Sequence, residues 1–124
     1  NLARFRKDAA PDPVHGKEIF AERCNACHTM DGNKTGPMLR NVVGRAAGSV
    51  AGYHYSPALQ SAHLTWSEDN LDRWLQGPKD FVPGARMPVR VLDVPSRRDV
   101  IAYLKQVGEA SADPARHATA RGEY

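Results

Sequence analysis

Three stretches of this chain carry hydrophobic residues at helical spacing, and long polar or glycine-rich segments separate them. The first, Val14 to Phe20, follows Asp12-Pro13. Asp12 can cap free amides with its side chain, and Pro13 sits where a missing N–H costs nothing, so a helix is predicted from Pro13 toward Cys27. In the second, Leu71, Trp74 and Leu75 lie at i, i+3 and i+4 and form one buried stripe. A helix is expected there from Ser67, with Glu68, Asp69 and Asp72 suited to its positive N-terminal end and Gly77-Pro78 closing it. In the third, Val100, Tyr103, Leu104 and Val107 share a face; Ser96 with Asp99 reads as a capping box and Gly108 as a C-cap. Between the first two, Asp31 to Ala58 holds five of the ten glycines plus Pro37 and Pro57, which reads as loop and turn. No segment alternates with period two, so the expected fold class is all-α with unusually much loop. The chain divides into an N-terminal extension (1–12), a domain (13–108) and a C-terminal tail (109–124) expected to be mobile.

Composition changes this picture in one respect. Leu, Ile, Val and Phe make up 23 of 124 residues, a level at which disorder becomes a consideration. A net charge of only +3, with two Trp and four Tyr, argues for a folded chain. The aliphatic core is therefore thin, and something other than side chains is needed to complete it. No block of charge reads as a nucleic-acid tract, so nucleic acid is not an expected partner. No apolar run approaches a membrane span, and Asn1 to Ala10 lacks the hydrophobic stretch of a signal peptide. Two cysteines exclude a multi-disulfide scaffold.

Those cysteines carry the chemistry. Cys24-Asn25-Ala26-Cys27-His28 is C-x-x-C-H, the attachment signature of a c-type haem. Residues three apart on a helical turn share a face, so both thiols can meet one porphyrin edge, and the next residue, His28, can bind the iron. A thioredoxin-like dithiol would need a strand before the motif; a zinc site would need a fourth ligand, for which only His15, His54, His63 and His117 are available. For the second axial position Met87 is favoured, because it lies in Val82-Pro83-Gly84-Ala85-Arg86-Met87-Pro88, a proline-stiffened loop where methionine is not ordinary core filler. Met30 is too near His28, Met38 reads as packing, and His54 and His63 read as solvated loop residues.

The chain resembles class I cytochromes c, especially the soluble carriers of mitochondria and photosynthetic bacteria. The resemblance covers about residues 15–107 and rests on ordered motifs: Gly16-Lys17-Glu18-Ile19-Phe20, Cys24 to His28 with Thr29, Lys34-Thr35-Gly36-Pro37, Val43-Gly44-Arg45, Gly52-Tyr53-His54-Tyr55, Leu64-Thr65-Trp66, Pro78-Lys79, Val82 to Met87, and Asp99 to Lys105. It implies the cytochrome c fold, few helices and long loops wrapped around one haem c joined covalently through Cys24 and Cys27. It further implies that Pro37 orients His28, that Arg45, Tyr55 and Trp66 hold a propionate, that Leu75 lines the pocket, and that Gly16 and Phe20 cross Val100 and Tyr103. Three positions depart from the family: Trp74 stands where a tyrosine commonly bonds the Met sulfur, Ala85 where a hydroxyl residue is frequent, and Leu59 where an asparagine is.

With iron ligated by His28 and Met87 the expected function is one-electron transfer, not enzymatic turnover, between redox partners of a respiratory, photosynthetic or dehydrogenase-linked chain. Alternatives are a haem peroxidase or gas binder, which would need a weak or absent Met87 bond, and the haem subunit or domain of a larger or membrane-anchored oxidoreductase. Arg23, Lys34, Lys79 and Arg86 match positions that ring the exposed haem edge in the family, implying transient docking of acidic redox proteins, membrane complexes among them, by a monomer. Haem of this type is attached outside the cytoplasm, so the resemblance implies export, with release from a signal peptide or membrane anchor. Arg outnumbers Lys 12 to 5, whereas mitochondrial carriers are lysine-rich, which favours a bacterial periplasm.

Overall fold

The structure, a computed structural model, describes residues 10–112, with side chains through Glu109. The rest of the N-terminal extension, and the part of the expected mobile tail beyond Ala112, lie outside the described residues. In chain order the described helices are α1 (Pro13–Arg23), α2 (Pro57–Gln60), α3 (Glu68–Gln76), α4 (Pro78–Phe81) and α5 (Val94–Ala112). Among the described residues there is no strand; an isolated antiparallel bridge pairs Ala46 with Thr65. Among the described residues no helix is long and apolar enough to cross a membrane.

The capping expected for α1 is present: the Asp12 side chain accepts from Val14 N at 3.0 Å and His15 N at 3.3 Å. The helix ends sooner than its pattern suggests. The amides of Cys24 and Asn25 both donate to the Phe20 carbonyl at 2.9 Å, so the i→i−4 ladder slips. Residues 24–27 then form a tight turn in which Cys27 N and His28 N donate to the Cys24 carbonyl at 3.1 and 2.9 Å. For α3 the Ser67 cap and the buried stripe of Leu71, Trp74 and Leu75 are as expected.

The last helix differs at both ends. It begins at Val94, two residues early, because Asp93 supplies the cap: its carboxylate accepts from Ser96 N at 3.0 Å and Ser96 Oγ at 2.7 Å. Asp99 is not part of a capping box. It is buried, 1% exposed, and accepts from Asp12 N at 2.8 Å, with the His15 ring 2.7 Å away, so it ties α5 to the start of α1. Gly108 does not end the helix, which continues to Ala112; its bare backbone instead faces Asn41.

α1 and α5 cross at Gly16, where a Cβ would overlap the Asp99 carbonyl and stand 2.9 Å from Tyr103 Cβ. Phe20 packs on Tyr103 one turn further along, ring centroids 5.7 Å apart. From this crossing one core cluster spreads through Phe20, Val42, Trp66, Leu71, Leu75, Val100 and Leu104. That cluster surrounds a cavity.

Candidate functional site

The cavity has a volume of about 280 Å³, and every described helix except α4 contributes to its wall. The end of α1 and the turn after it bring Cys24, Cys27 and His28. The long loop brings Pro37, Arg45 and Tyr55, α2 brings Leu59, and Trp66 stands just before α3. Helices α3 and α5 supply Leu71, Trp74, Leu75, Val100 and Leu104, and the loop after α4 supplies Met87. All nine residues expected at the haem, from Cys24 to Met87, thus line one cavity.

His28 is the most fully oriented of them. The Pro37 carbonyl accepts from His28 Nδ1 at 2.8 Å, which fixes the ring and leaves Nε2 for a metal. Gly36 lies against the same ring: a Cβ there would fall 2.6 Å from Nδ1. Burial pushes the imidazole below its ordinary pKa, the Pro37 hydrogen bond works against this, and the Arg45 charge adds to it. The neutral form that results at neutral pH is the one that binds metal.

Burial also pushes the Cys24 thiol up to about 11, against the lowering effect of Arg23. Such a thiol is protonated at neutral pH and behaves as an apolar group, unlike the attacking cysteine of a redox dithiol. Among the described residues no group of three or more His, Cys, Asp or Glu converges on a point that could hold a metal ion. Among the described residues the zinc alternative therefore has no ligand set; His117 lies outside them.

Of the three methionines, Met87 lies on the cavity wall while Met30 and Met38 do not. Met30 packs against the outer core, and the Met38 carbonyl accepts from Arg45 Nη2 at 2.9 Å. His54 and His63 are exposed and off the wall. Arg45 also donates to the Arg40 carbonyl at 3.3 Å, but its Nε is buried with no partner. A guanidinium with an unused buried donor beside an apolar cavity suits a ligand that carries an anionic group. The Tyr55 hydroxyl accepts from Val50 N at 2.9 Å and keeps its own proton to donate. Trp66 is buried edge-on to Trp74, ring centroids 5.1 Å apart. Trp74 and Leu59 stand on the wall, whereas Ala85 is buried off it.

Arg23, Lys34, Lys79 and Arg86 are all exposed, but they are not equally placed. Arg23 and Arg86 border the cavity; Lys34 Nζ sits 3.4 Å from the Asn25 carbonyl beside the cysteine turn; Lys79 is on α4, off the wall. Lys34 thereby donates to a backbone carbonyl, and two more of these cations also have internal tasks. Arg23 Nη2 donates to the Arg90 carbonyl at 2.7 Å and Arg86 Nη1 to the His54 carbonyl at 3.0 Å. Sequence reasoning missed Leu39 and Val42, whose place on the wall lies inside a loop without periodicity.

A family model described as Cytochrome c matches residues 13–108. The chain belongs to the cytochrome c family. It is 38% identical over 108 residues to a cytochrome c of Nigella damascena, covering 84% of this chain and 97% of that one. It is 44% identical over 100 residues to a cytochrome c2 of Rhodomicrobium vannielii, covering 77% and 79%. A solved structure of cytochrome cH from Methylobacterium extorquens superposes with a TM-score of 0.74 at 42% identity, over 77% of this chain and 98% of that chain. Relatives occur in plants and bacteria alike. As a family member the protein is an electron carrier with redox-protein partners, and it binds one covalent c-type haem. The site fits that group: an apolar cavity, a cysteine pair, an oriented neutral imidazole and a buried arginine donor without a partner.

Proposed function

We propose that His28 and Met87 would ligate the iron of this haem, that Cys24 and Cys27 would form its thioether links, and that Arg45, Tyr55 and Trp66 would hold a propionate. One observation carries the ligand assignment: His28 and, alone among the methionines, Met87 line the same cavity. When bound, the haem supplies one-electron chemistry through its iron.

The chain's own residues shape that chemistry. Pro37 and Gly36 hold the His28 ring in one orientation, which keeps reorganisation small between oxidation states. Met87 offers a soft thioether that favours the reduced metal and raises its potential. Leu71, Leu75, Val100 and Leu104 exclude water from the cavity. Together His28 and Met87 leave no position open for a substrate, which directs the protein to outer-sphere transfer rather than to peroxidase or gas-binding activity. Carbon monoxide tests this directly. The ferrous wild-type protein is expected not to bind it, and Met87→Ala to bind it; ready binding by wild type would contradict the assignment.

Arg23, Lys34 and Arg86, with Lys79 further out, form the docking surface for acidic redox proteins, met transiently by a monomer. Electron-transfer rates with such a partner are expected to fall as salt rises through moderate ionic strength; flat rates would remove the steering role. Arginine's excess over lysine and the likeness to bacterial relatives support an exported, periplasmic protein.

A further inference from the structure

Three consecutive carbonyls just downstream of Met87 are each held by an arginine. Arg23 Nη2 donates to the Arg90 carbonyl at 2.7 Å; Arg97 Nη1 donates to those of Val91 at 3.0 Å and Leu92 at 3.1 Å. In the same segment Val91 N donates to the Leu75 carbonyl at 2.7 Å, and Arg90 Nε to the Gln76 carbonyl at 2.8 Å. Residues 90–92 are thus fastened to the ends of α1 and α3 and to the first turn of α5. Residues 85–90, which include Met87, have no regular structure, and Pro88 has no N–H to give. With no ladder of its own, the Met87 stretch is positioned by tethers on either side: Ala85 N to the Val82 carbonyl at 2.9 Å and Arg86 Nη1 to the His54 carbonyl at 3.0 Å before it, and the fastening of residues 90–92 after it.

Arg97 is the centre of the downstream fastening. Arg97 is buried, 6% exposed, and off the cavity wall, and its Nε donates to Asp72 Oδ1 at 2.7 Å. Carboxylate on one side and two carbonyls on the other determine the plane of the guanidinium completely. The pair is buried only on the Arg97 side, the Asp72 side chain being 39% exposed; such an ion pair is weak support for stability as such, and its best-attested use is to fix one arrangement against others. The arrangement fixed here is that of the chain four and five residues after Met87.

We propose that Arg97, locked by Asp72, is a positioning residue for Met87: by holding residues 91 and 92 it keeps the thioether in the cavity and sets how readily it yields to a competing ligand. This rests on the reading of Met87 as an axial ligand. Arg97 touches neither Met87 nor the cavity, so it acts through the backbone alone.

Imidazole binding to the ferric, haem-loaded protein tests the idea, because imidazole enters only when Met87 leaves. Arg97→Lys keeps the charge but loses the planar fork. Its apparent affinity for imidazole is expected to rise about tenfold, the worth of one charge-assisted hydrogen bond. Asp72→Asn is expected to raise the affinity several-fold. Both readings are taken without denaturant, with far-ultraviolet circular dichroism confirming that the helices are intact. Ile101→Val weakens the core away from the cavity and is expected to bind imidazole as wild type does. Unchanged affinity in Arg97→Lys and Asp72→Asn, or an equal rise in Ile101→Val, would overturn the positioning role. If Arg97→Lys fails to fold, Asp72→Asn decides alone. A wild-type ferric spectrum without the Met–iron charge-transfer band would instead overturn the ligand assignment, and this inference with it.

Discussion

At the scale of single residues, chemistry written in contiguous sequence is the most legible. Cys24, Cys27 and His28 announce themselves by spacing, and the cavity has them on its wall. Met87 is readable because prolines flank a residue type that has no reason to be in a stiff loop. What spacing cannot show is the pair of contacts around His28. Pro37 and Gly36 approach the ring from nine and eight residues away, one with a carbonyl and the other by having no side chain; only resemblance pointed to Pro37. The arginines that fasten residues 90–92 escape a sequence reading altogether. Their acceptors are backbone carbonyls, which every residue carries, and the carboxylate paired with Arg97 lies 25 positions away. Arg23 and Arg86 illustrate a related point. Exposure suggests free cations for docking, yet each also holds a carbonyl, so removing either would disturb the loops as well as the surface charge.

At the scale of elements, a short helix with a complete local code was read more accurately than a long one. Ser67, the acidic first turn and the Leu71–Trp74–Leu75 stripe agree with one another, and α3 follows them. The reading of α5 failed at both ends because two features had non-local explanations. Asp99 is three residues from a serine, as a capping acid would be, but its partners are Asp12 and His15 on α1. Gly108 looks like a terminator, but it is small because Asn41 packs against it. The α1–α5 crossing gives the sharpest prediction at this scale. A Cβ on Gly16 would overlap the Asp99 carbonyl, a backbone atom in mid-helix that cannot move aside without dragging α5. Gly16→Ala, which would raise helix propensity at an ordinary site, is therefore expected to lower unfolding free energy by about 3 kcal/mol. Chemical denaturation of the haem-loaded protein checks it; a neutral or stabilising effect would mean that the crossing is not close-packed.

At the scale of the whole molecule, a thin aliphatic core and a central cavity are one fact. Leu, Ile, Val and Phe number 23 in 124 residues, and much of what they form is the lining of an apolar space of about 280 Å³. The long loop from Asp31 to Ser56 is wrapping for that space: it reaches the wall through Pro37, Arg45 and Tyr55 without a helix of its own, and the expected loop ends two residues early because α2 begins at Pro57. An unfilled apolar cavity forfeits packing on every side, so the haem-free chain is expected to be largely unfolded, in the manner of small domains that fold around a metal. Far-ultraviolet circular dichroism of haem-free protein measures this, with loss of most of the helical signal as the expected outcome. A cooperative thermal transition in that sample would show that side chains alone suffice.

The account turns on a closed iron between His28 and Met87, and the long-wavelength Met–iron charge-transfer band of the ferric protein tests it most directly. The account predicts that the band is present in wild type, persists in Met30→Leu and Met38→Leu, and disappears in Met87→Ala. A wild-type protein without the band, or a Met87→Ala variant that keeps it, would contradict the account.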